Sequence, residues 1–220
     1  MDNIKLALKE KLNGLDIYIN ILNSVKDYQI YNSLHEIEKC QQLKNYLIQF
    51  EEYLNQKKLN DNFRESILDY AISHNLKCAN ALIALYATGC RPDEIETGIK
   101  VNFDSKNNKL SFKIIGSKLN YQQKRGIRIR EVTIKITDKN LQYYKPIIDI
   151  FEKNPQAYDL KIKTESAKAF SGYITKISKK LWPRKTYHAS AYSFRHAKAT
   201  ELKNSDYDKI EIAQIMGHAS

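Results

Sequence analysis

The chain has 220 residues, of which 42% are hydrophobic, 7 are glycine and 4 are proline, a composition typical of an ordered globular protein. Lysine and arginine outnumber aspartate and glutamate by 36 to 25, and the net charge of +11 favours a polyanionic partner, with nucleic acid the leading candidate. The 3 cysteines form no Cys-x-x-Cys pair, which predicts reduced thiols in a cytosolic protein and argues against a zinc site or a disulfide framework. No apolar run approaches the roughly 18 residues of a membrane span.

Residues 1–57 carry apolar side chains at helical spacing and show no cluster of residues suited to chemistry. The polar run at 56–62 predicts a linker. We therefore expect a helical N-terminal segment at 1–57 and a larger domain at 58–220.

Two further helices are predicted between residues 63 and 89, the second ending at Gly89 in a left-handed cap. Pro92 and the two acidic residues after it are typical of a helix start, so Arg91 lies at a sharp helix–helix junction. An arginine in that position either binds an anion or packs the helices together by pairing with a carboxylate. The local sequence leaves both interpretations open.

From residue 101 the apolar pattern changes to strict alternation, which predicts a three-stranded antiparallel sheet that ends near residue 136. The parity of the last strand flips near Arg130 and Glu131, which indicates a β-bulge. The connection at 117–125 is long and basic. Such a hairpin tip contacts solvent or a phosphate backbone, and a lysine held there could also act as a proton donor.

Helices are predicted again at 138–153 and 164–181. A basic patch surrounds Trp182 and includes Lys180, Arg184 and Lys185. Its charge fits the binding of a DNA backbone, although runs of this kind are also found on solvated helix faces.

The helix around residues 191–202 carries apolar side chains on one stripe, with Arg195 at its edge and Tyr192 one turn earlier. A guanidinium at the rim of a packed helix can bind a phosphate through two parallel hydrogen bonds, and it can equally be a surface arginine. Asp206 or Asp208 caps a last helix, which ends at Gly217 and so fixes the place of His218.

Three segments resemble, in the same order, the three motif boxes of the tyrosine recombinases, the phage-type integrases. Residues 87–95 resemble the first box, Ala-Thr-Gly-X-Arg-X-X-Glu-apolar; residues 193–200 resemble the second, and residues 215–218 the third, apolar-Leu-Gly-His. The resemblance covers about residues 60–220 and implies an α+β, mainly helical, integrase-like catalytic domain with a small three-stranded antiparallel sheet. It also suggests that residues 1–57 are an arm or a reduced DNA-clamp domain.

The resemblance implies a role for each matching residue. Arg91 and Arg195 would hold the non-bridging oxygens of the scissile phosphodiester, Glu94 would support Arg91, and His218 would donate to a phosphate oxygen. Lys118 would protonate the departing 5′ oxygen, with Lys124 as the alternative in the long loop. No metal or other cofactor is expected. Contacts with the DNA backbone would come from the remaining basic residues Lys124, Arg125, Lys180, Arg184 and Lys185.

Two positions depart from the family pattern. Tyr192 stands where histidine is usual, and a phenol with a pKa of about 10 is a poor base at neutral pH. The nucleophilic tyrosine of the family follows the third box, and no tyrosine of these 220 residues matches that position.

We therefore predict a site-specific DNA recombinase or integrase that works through a 3′-phosphotyrosyl intermediate, and we expect this chain to be catalytically incomplete by itself. The expected partners are a double-stranded DNA recombination site and further copies of the chain in a synaptic tetramer, in the cytoplasm at the nucleoid and without a membrane. The alternative is a non-enzymatic DNA-binding protein that keeps the recombinase scaffold.

Overall fold

A computed structural model describes residues 10–16, 19, 37–49, 59–117 and 126–218. The chain divides into two units, Met1–Leu59 with Arg184–Tyr187, and Asn60–Pro183 with His188–Ser220. In the first unit, residues 10–16 and 37–49 are helical, and the Lys44 ammonium donates a hydrogen bond to the Asp16 carboxylate. The other helices predicted in residues 1–57 lie outside the described residues. In the described ranges, no helix has the length and apolar character needed to cross a membrane.

The second unit contains seven helices and four strands among its described residues. In chain order they are α1 (Phe63–Ser73), α2 (Ala79–Thr88), α3 (Pro92–Thr97), β1 (Ile99–Asp104), β2 (Lys109–Ile115), β3 (Ile129–Lys135), α4 (Leu141–Lys153), β4 (Leu160–Ile162), α5 (Ala167–Leu181), α6 (Ala191–Lys203) and α7 (Lys209–Met216). This mainly helical α+β architecture with one antiparallel sheet confirms the predicted fold class.

Helix α2 lies at the centre of this unit. Eight of its ten residues are buried, because its sequence is apolar on every side and it packs against α1, α3, α4 and α6. Phe170 of α5 and Phe194 of α6 are also fully buried, and the Phe194 ring meets Phe63 of α1 edge to face at 5.4 Å between centroids. The functional helices are therefore anchored in one apolar core.

The sheet has four strands in the order β3-β2-β1-β4, all antiparallel. The predicted three strands are present, and the additional strand β4 pairs with β1 from Ile99↔Ile162 to Val101↔Leu160. With only three residues, β4 is too short to show an alternating pattern in the sequence. Strand β4 could therefore be identified only from its pairing with β1.

The bulge predicted near Arg130 and Glu131 is wrong. Strand β3 pairs with β2 in unbroken register from Ile115↔Ile129 to Lys109↔Lys135. The parity is continuous because Arg130, not Ile129, points into the core: Arg130 is 6% exposed, whereas Ile129 is 50% exposed. Because the inward position is occupied by a charged residue, the alternation of apolar residues in the sequence is interrupted there. This interruption resembles the extra residue of a bulge although the strand is regular.

The helix ends that flank the three motif segments follow local rules. Gly89 after α2 and Gly217 after α7 adopt left-handed conformations, with φ of 60° and 71°. Pro92 begins α3, and the Asp208 side chain caps α7 by accepting hydrogen bonds from the backbone N–H groups of Ile210 and Glu211 at 2.7 and 2.8 Å. The predicted left-handed glycines and the helix start at Pro92 are confirmed, and of the two predicted cap candidates, Asp206 and Asp208, the cap is Asp208.

Candidate active site

Arg195 joins the ends of two helices that are remote in sequence. Its Nη1 donates to the carbonyl oxygen of Gly89 at 2.7 Å, and its Nη2 donates to the carbonyl oxygen of Met216 at 2.6 Å. Both carbonyls belong to helix C-terminal ends, which lack intrahelical partners and carry partial negative charge. The guanidinium thus provides hydrogen bonds to the ends of both α2 and α7, and Arg195 as a residue is only 7% exposed. It is more deeply buried than the helix-edge position indicated by the sequence.

His218 reaches the same guanidinium. Its Nε2 lies 3.1 Å from Nη2 of Arg195. Because a guanidinium can only donate hydrogen bonds, Nε2 is the acceptor, and the proton of a neutral imidazole is assigned to Nδ1. The predicted proximity of the second and third motif segments is therefore present in the structure.

Arg91 precedes α3 and is fixed by Glu94. The backbone N–H of Arg91 donates to Oε2 of Glu94 at 2.7 Å, and its Nη1 donates to Oε1 at 3.1 Å. The first contact is a capping interaction, in which the third residue of the helix reaches back to the residue before it. The interpretation of Arg91 as a carboxylate-paired residue is thus realised, and the Arg91 side chain is 12% exposed.

The partner of Glu94 that sequence reasoning missed is Arg130 of β3. Its Nη1 and Nη2 donate to the two carboxylate oxygens at 3.0 and 2.7 Å, a bidentate pair in which the Glu94 side chain is fully buried. Burial by itself raises the pKa of Glu94, but hydrogen bonding and charge from Arg130, with a further contribution from Arg91, hold that pKa below its usual value. Glu94 is therefore ionised at neutral pH. The sequence did carry one sign of this inward arginine, namely the interrupted alternation of apolar residues at Arg130.

Three guanidiniums and a single buried carboxylate leave the site positively charged. Burial, reinforced by the charges of Arg91 and Arg130, lowers the pKa of Arg195 to about 10, so this guanidinium stays protonated at neutral pH. Burial and the charges of Arg195 and Arg91 likewise lower the pKa of His218, which favours the neutral imidazole. Mutual repulsion of this kind is relieved when an anion binds among the groups. The site is thus suited electrostatically to a phosphate or another oxyanion.

Cys90 lies between Gly89 and Arg91 and is fully buried, and burial raises the pKa of its thiol to about 12. It is therefore a packing residue of the site and not a nucleophile. Among the residues that the structure describes, no group of His, Cys, Asp and Glu side chains could hold a metal ion.

The other predicted site residues are more scattered. Tyr192 is 44% exposed in the first turn of α6, the helix that carries Arg195. Lys180 is exposed near the end of α5, with its Nζ 5.3 Å from the centre of the Tyr70 ring. Arg184 and Lys185 belong to the other unit of the chain. Lys118, Lys124 and Arg125 lie outside the described residues, so their predicted roles stay predictions.

A mainly helical domain with an antiparallel sheet, whose three motif segments meet around buried arginines, has the architecture of an integrase-type catalytic domain. The sequence model of the phage integrase family matches residues 57–220, and this chain belongs to that family.

The chain is also similar to solved structures, and the fold of XerA recombinase agrees with the architecture described above. The crystal structure of XerA recombinase is 18% identical, over 95% of this chain and 75% of that one, with a TM-score of 0.54. The XerH site-specific recombinase bound to difH substrate is 20% identical over 74% and 47% of the two chains, with a TM-score of 0.45. The Tn1549 transposon integrase in complex with transposon right end DNA is 17% identical over 99% and 86%, with a TM-score of 0.46. No curated protein sequence matches the chain significantly.

Proposed function

We propose that this chain is the phosphate-activating part of a site-specific DNA recombinase or integrase, which cuts and rejoins DNA through a 3′-phosphotyrosyl intermediate. The observation that carries the proposal is the convergence of the largely buried Arg195 and Arg91–Glu94 pair with the exposed His218 at one positively charged position. A scissile phosphodiester is the DNA group that such a position would bind.

In this reaction a tyrosine oxygen attacks phosphorus and loses its proton, a phosphotyrosyl ester forms at the 3′ side, and the bond from phosphorus to the 5′ oxygen breaks. The 5′ oxygen leaves with one proton, so the step has no net gain or loss of protons. Arg91 and Arg195 would bind the non-bridging oxygens and stabilise the charge that builds up in the pentacoordinate transition state. His218 would donate from Nδ1 to one of these oxygens, since Nε2 already accepts from Arg195. Lys118 would supply the proton to the leaving 5′ oxygen, with Lys124 as the second candidate. We assign the attacking tyrosine to no residue of this chain.

The proposed partner is a double-stranded DNA recombination site, bound by further copies of the protein in a synaptic tetramer. The net charge of +11 supports a polyanionic partner. The lysines and arginines proposed for the DNA backbone are Lys124, Arg125, Lys180, Arg184 and Lys185. Binding that depends on such contacts weakens steeply as the salt concentration rises.

The second candidate function is DNA binding without cleavage, and Tyr192 is the observation that favours it. A phenol at this position can donate a hydrogen bond to a phosphate, but phenols are poor general bases at neutral pH. The histidine that is usual in the family would act at neutral pH. The two candidates agree on the ligand and differ in the chemistry that follows binding.

Covalent trapping distinguishes the candidates. The protein is expressed from its native gene, with whatever its reading frame contains after residue 220, and is incubated with nicked suicide DNA substrates. We expect a protein–DNA adduct on denaturing gels, which Arg195→Gln abolishes while the folded variant still binds DNA. Exposed Lys145→Gln is the matched control and retains the adduct. Binding of DNA without any adduct would overturn the recombinase proposal and establish the second candidate.

A further inference from the structure

Arg130 is a buried arginine that links three elements of the site. It projects inward from β3, its side chain is only 4% exposed, and its guanidinium makes three hydrogen bonds. Two go to Glu94, and the third runs from Nε to the carbonyl oxygen of Ile215 at 3.0 Å. One side chain thus connects the sheet to the start of α3 and to the end of α7.

Arg130 and Arg91 share the same carboxylate. Oε1 of Glu94 accepts from Nη1 of both arginines, at 3.0 Å from Arg130 and 3.1 Å from Arg91. Oε2 accepts from Nη2 of Arg130 and from the backbone N–H of Arg91, each at 2.7 Å. The bidentate pair fixes the plane of the carboxylate, and this plane fixes the direction in which Arg91 is held.

The same guanidinium supports the main chain just before His218. Gly217 packs so closely on it that an added Cβ atom would lie 2.6 Å from Nη1 and 2.8 Å from Cζ of Arg130. Together with the hydrogen bond to Ile215, this contact fixes the position and direction of the main chain after the end of α7. His218 is the next residue, so its imidazole inherits that placement.

Resting on the proposed function, we propose that Arg130 is the positioning residue of the phosphate site: it fixes Arg91 through Glu94 and His218 through the end of α7. Because Nε, Nη1 and Nη2 of Arg130 all donate to Glu94 or Ile215, it acts through these partners and does not bind the phosphate itself. Arg130 belongs to none of the three motif segments, yet it sets the spacing between the first segment and the third.

Arg130→Lys is the informative variant. Lysine keeps the positive charge, but its single ammonium cannot make a bidentate pair and a third bond to Ile215 at the same time. Any change in the site therefore reports lost geometry and not lost charge. Arg64→Lys is the matched control: Arg64 is also largely buried, with its side chain 14% exposed, and it pairs with Glu201 at 3.0 Å.

The first measurement needs no DNA. The His218 imidazole is titrated by NMR in the folded wild type and in both variants. We expect the His218 titration midpoint in Arg130→Lys to rise towards the ordinary histidine value, because the imidazole loses its fixed position beside Arg195. Arg64→Lys keeps the wild-type midpoint. A general loss of stability does not produce this shift in protein that is still folded.

The second measurement uses dimethyl phosphate, a minimal phosphodiester, as the probe. We expect Arg130→Lys to bind it about tenfold more weakly than the wild type, and Arg64→Lys to bind it equally well. If the wild type binds the probe and Arg130→Lys changes neither its affinity nor the His218 midpoint, the positioning role is overturned. If the His218 midpoint shifts but the wild type does not bind the probe, the positioning role stands and the proposed function fails.

A variant that does not fold is replaced by a paired change. Arg130→Met with Glu94→Gln removes the buried Arg130–Glu94 ion pair as a unit, which costs less than removing one partner, and the glutamine oxygen can still accept the hydrogen bond from the backbone N–H of Arg91. The same two measurements apply, with the same expected shift and loss of affinity. Wild-type values for both would overturn the proposal.

Discussion

The buried carboxylate of Glu94 makes Glu94→Gln the most informative single change in this protein. Each of its two oxygens accepts two hydrogen bonds, one from Arg130 and one from Arg91, at 2.7–3.1 Å. Glutamine keeps the shape and one oxygen, but its NH₂ group then faces two donors. The variant therefore loses two charge-assisted hydrogen bonds and leaves two guanidiniums close together without a compensating charge.

The expected cost is large because the Glu94 side chain is fully buried and its two arginine partners are at most 12% exposed. Breaking a buried ion pair by neutralising one partner costs about 3–5 kcal/mol. Taking the lower figure of about 3 kcal/mol, the melting temperature should fall by roughly 6–12 °C in a domain of this size. Urea unfolding followed by circular dichroism gives the free energy of unfolding directly. A loss below about 1 kcal/mol would refute the reasoning, since it would mean that the carboxylate is not the shared partner of both arginines.

The same variant predicts a change in pH dependence. The folded-state pKa of Glu94 lies below its unfolded value of 4.5, so its contribution to stability is complete above pH 4.5 and is lost as the pH falls through the folded-state pKa. Glu94→Gln should therefore flatten the fall in unfolding free energy below pH 4.5. The control is Asp149→Asn, which removes an exposed ion pair with Lys145 and leaves the acid profile unchanged. Equal acid profiles for wild type and Glu94→Gln would contradict the assignment.

Three further predictions test the local structure of the site. Gly217→Ala should lower the free energy of unfolding in urea by about 1–2 kcal/mol, because its φ is 71° and an added Cβ would clash with the Arg130 guanidinium. Helical Gly172→Ala is the control: nothing lies within 4 Å of the added Cβ, so the change should stabilise the protein by about 0.5–1 kcal/mol. Destabilisation at both positions would contradict the role of local packing. Asp208→Ala should cost about 1 kcal/mol and increase amide hydrogen exchange at the start of α7, and unchanged exchange would contradict its capping role. Cys90 should resist a thiol reagent at pH 8 until the protein unfolds, whereas half-buried Cys78 reacts in the folded state, and equal rates would contradict the burial of Cys90.

The geometry explains how one site is assembled from distant segments. Arg195 bonds to a carbonyl 106 positions earlier and to another 21 positions later. Each bond satisfies a helix end that local structure leaves unpaired. The arginine is therefore held in place before any ligand binds, and the repulsion among the three guanidiniums is a built-in preference for an anion.

The sequence by itself determined the features that depend on neighbouring residues. Gly89 and Gly217 end their helices, because glycine adopts the left-handed conformation without strain, and Pro92 begins its helix. Alternating apolar residues likewise defined β1 and β2. These local rules were sufficient to place Arg91 and His218 at helix ends and Arg195 on the helix before the last one.

Only the tertiary structure decided what those ends meet. The inward direction of Arg130 became clear through its pairing with Glu94, 36 positions away, and the burial of Arg195 through its contact with Gly89. Strand β4 needed β1 beside it. The physical reason is the same in each case: a buried charge or a three-residue strand is stable only against its partner, and the partner is chosen by the folded chain and not by adjacent residues.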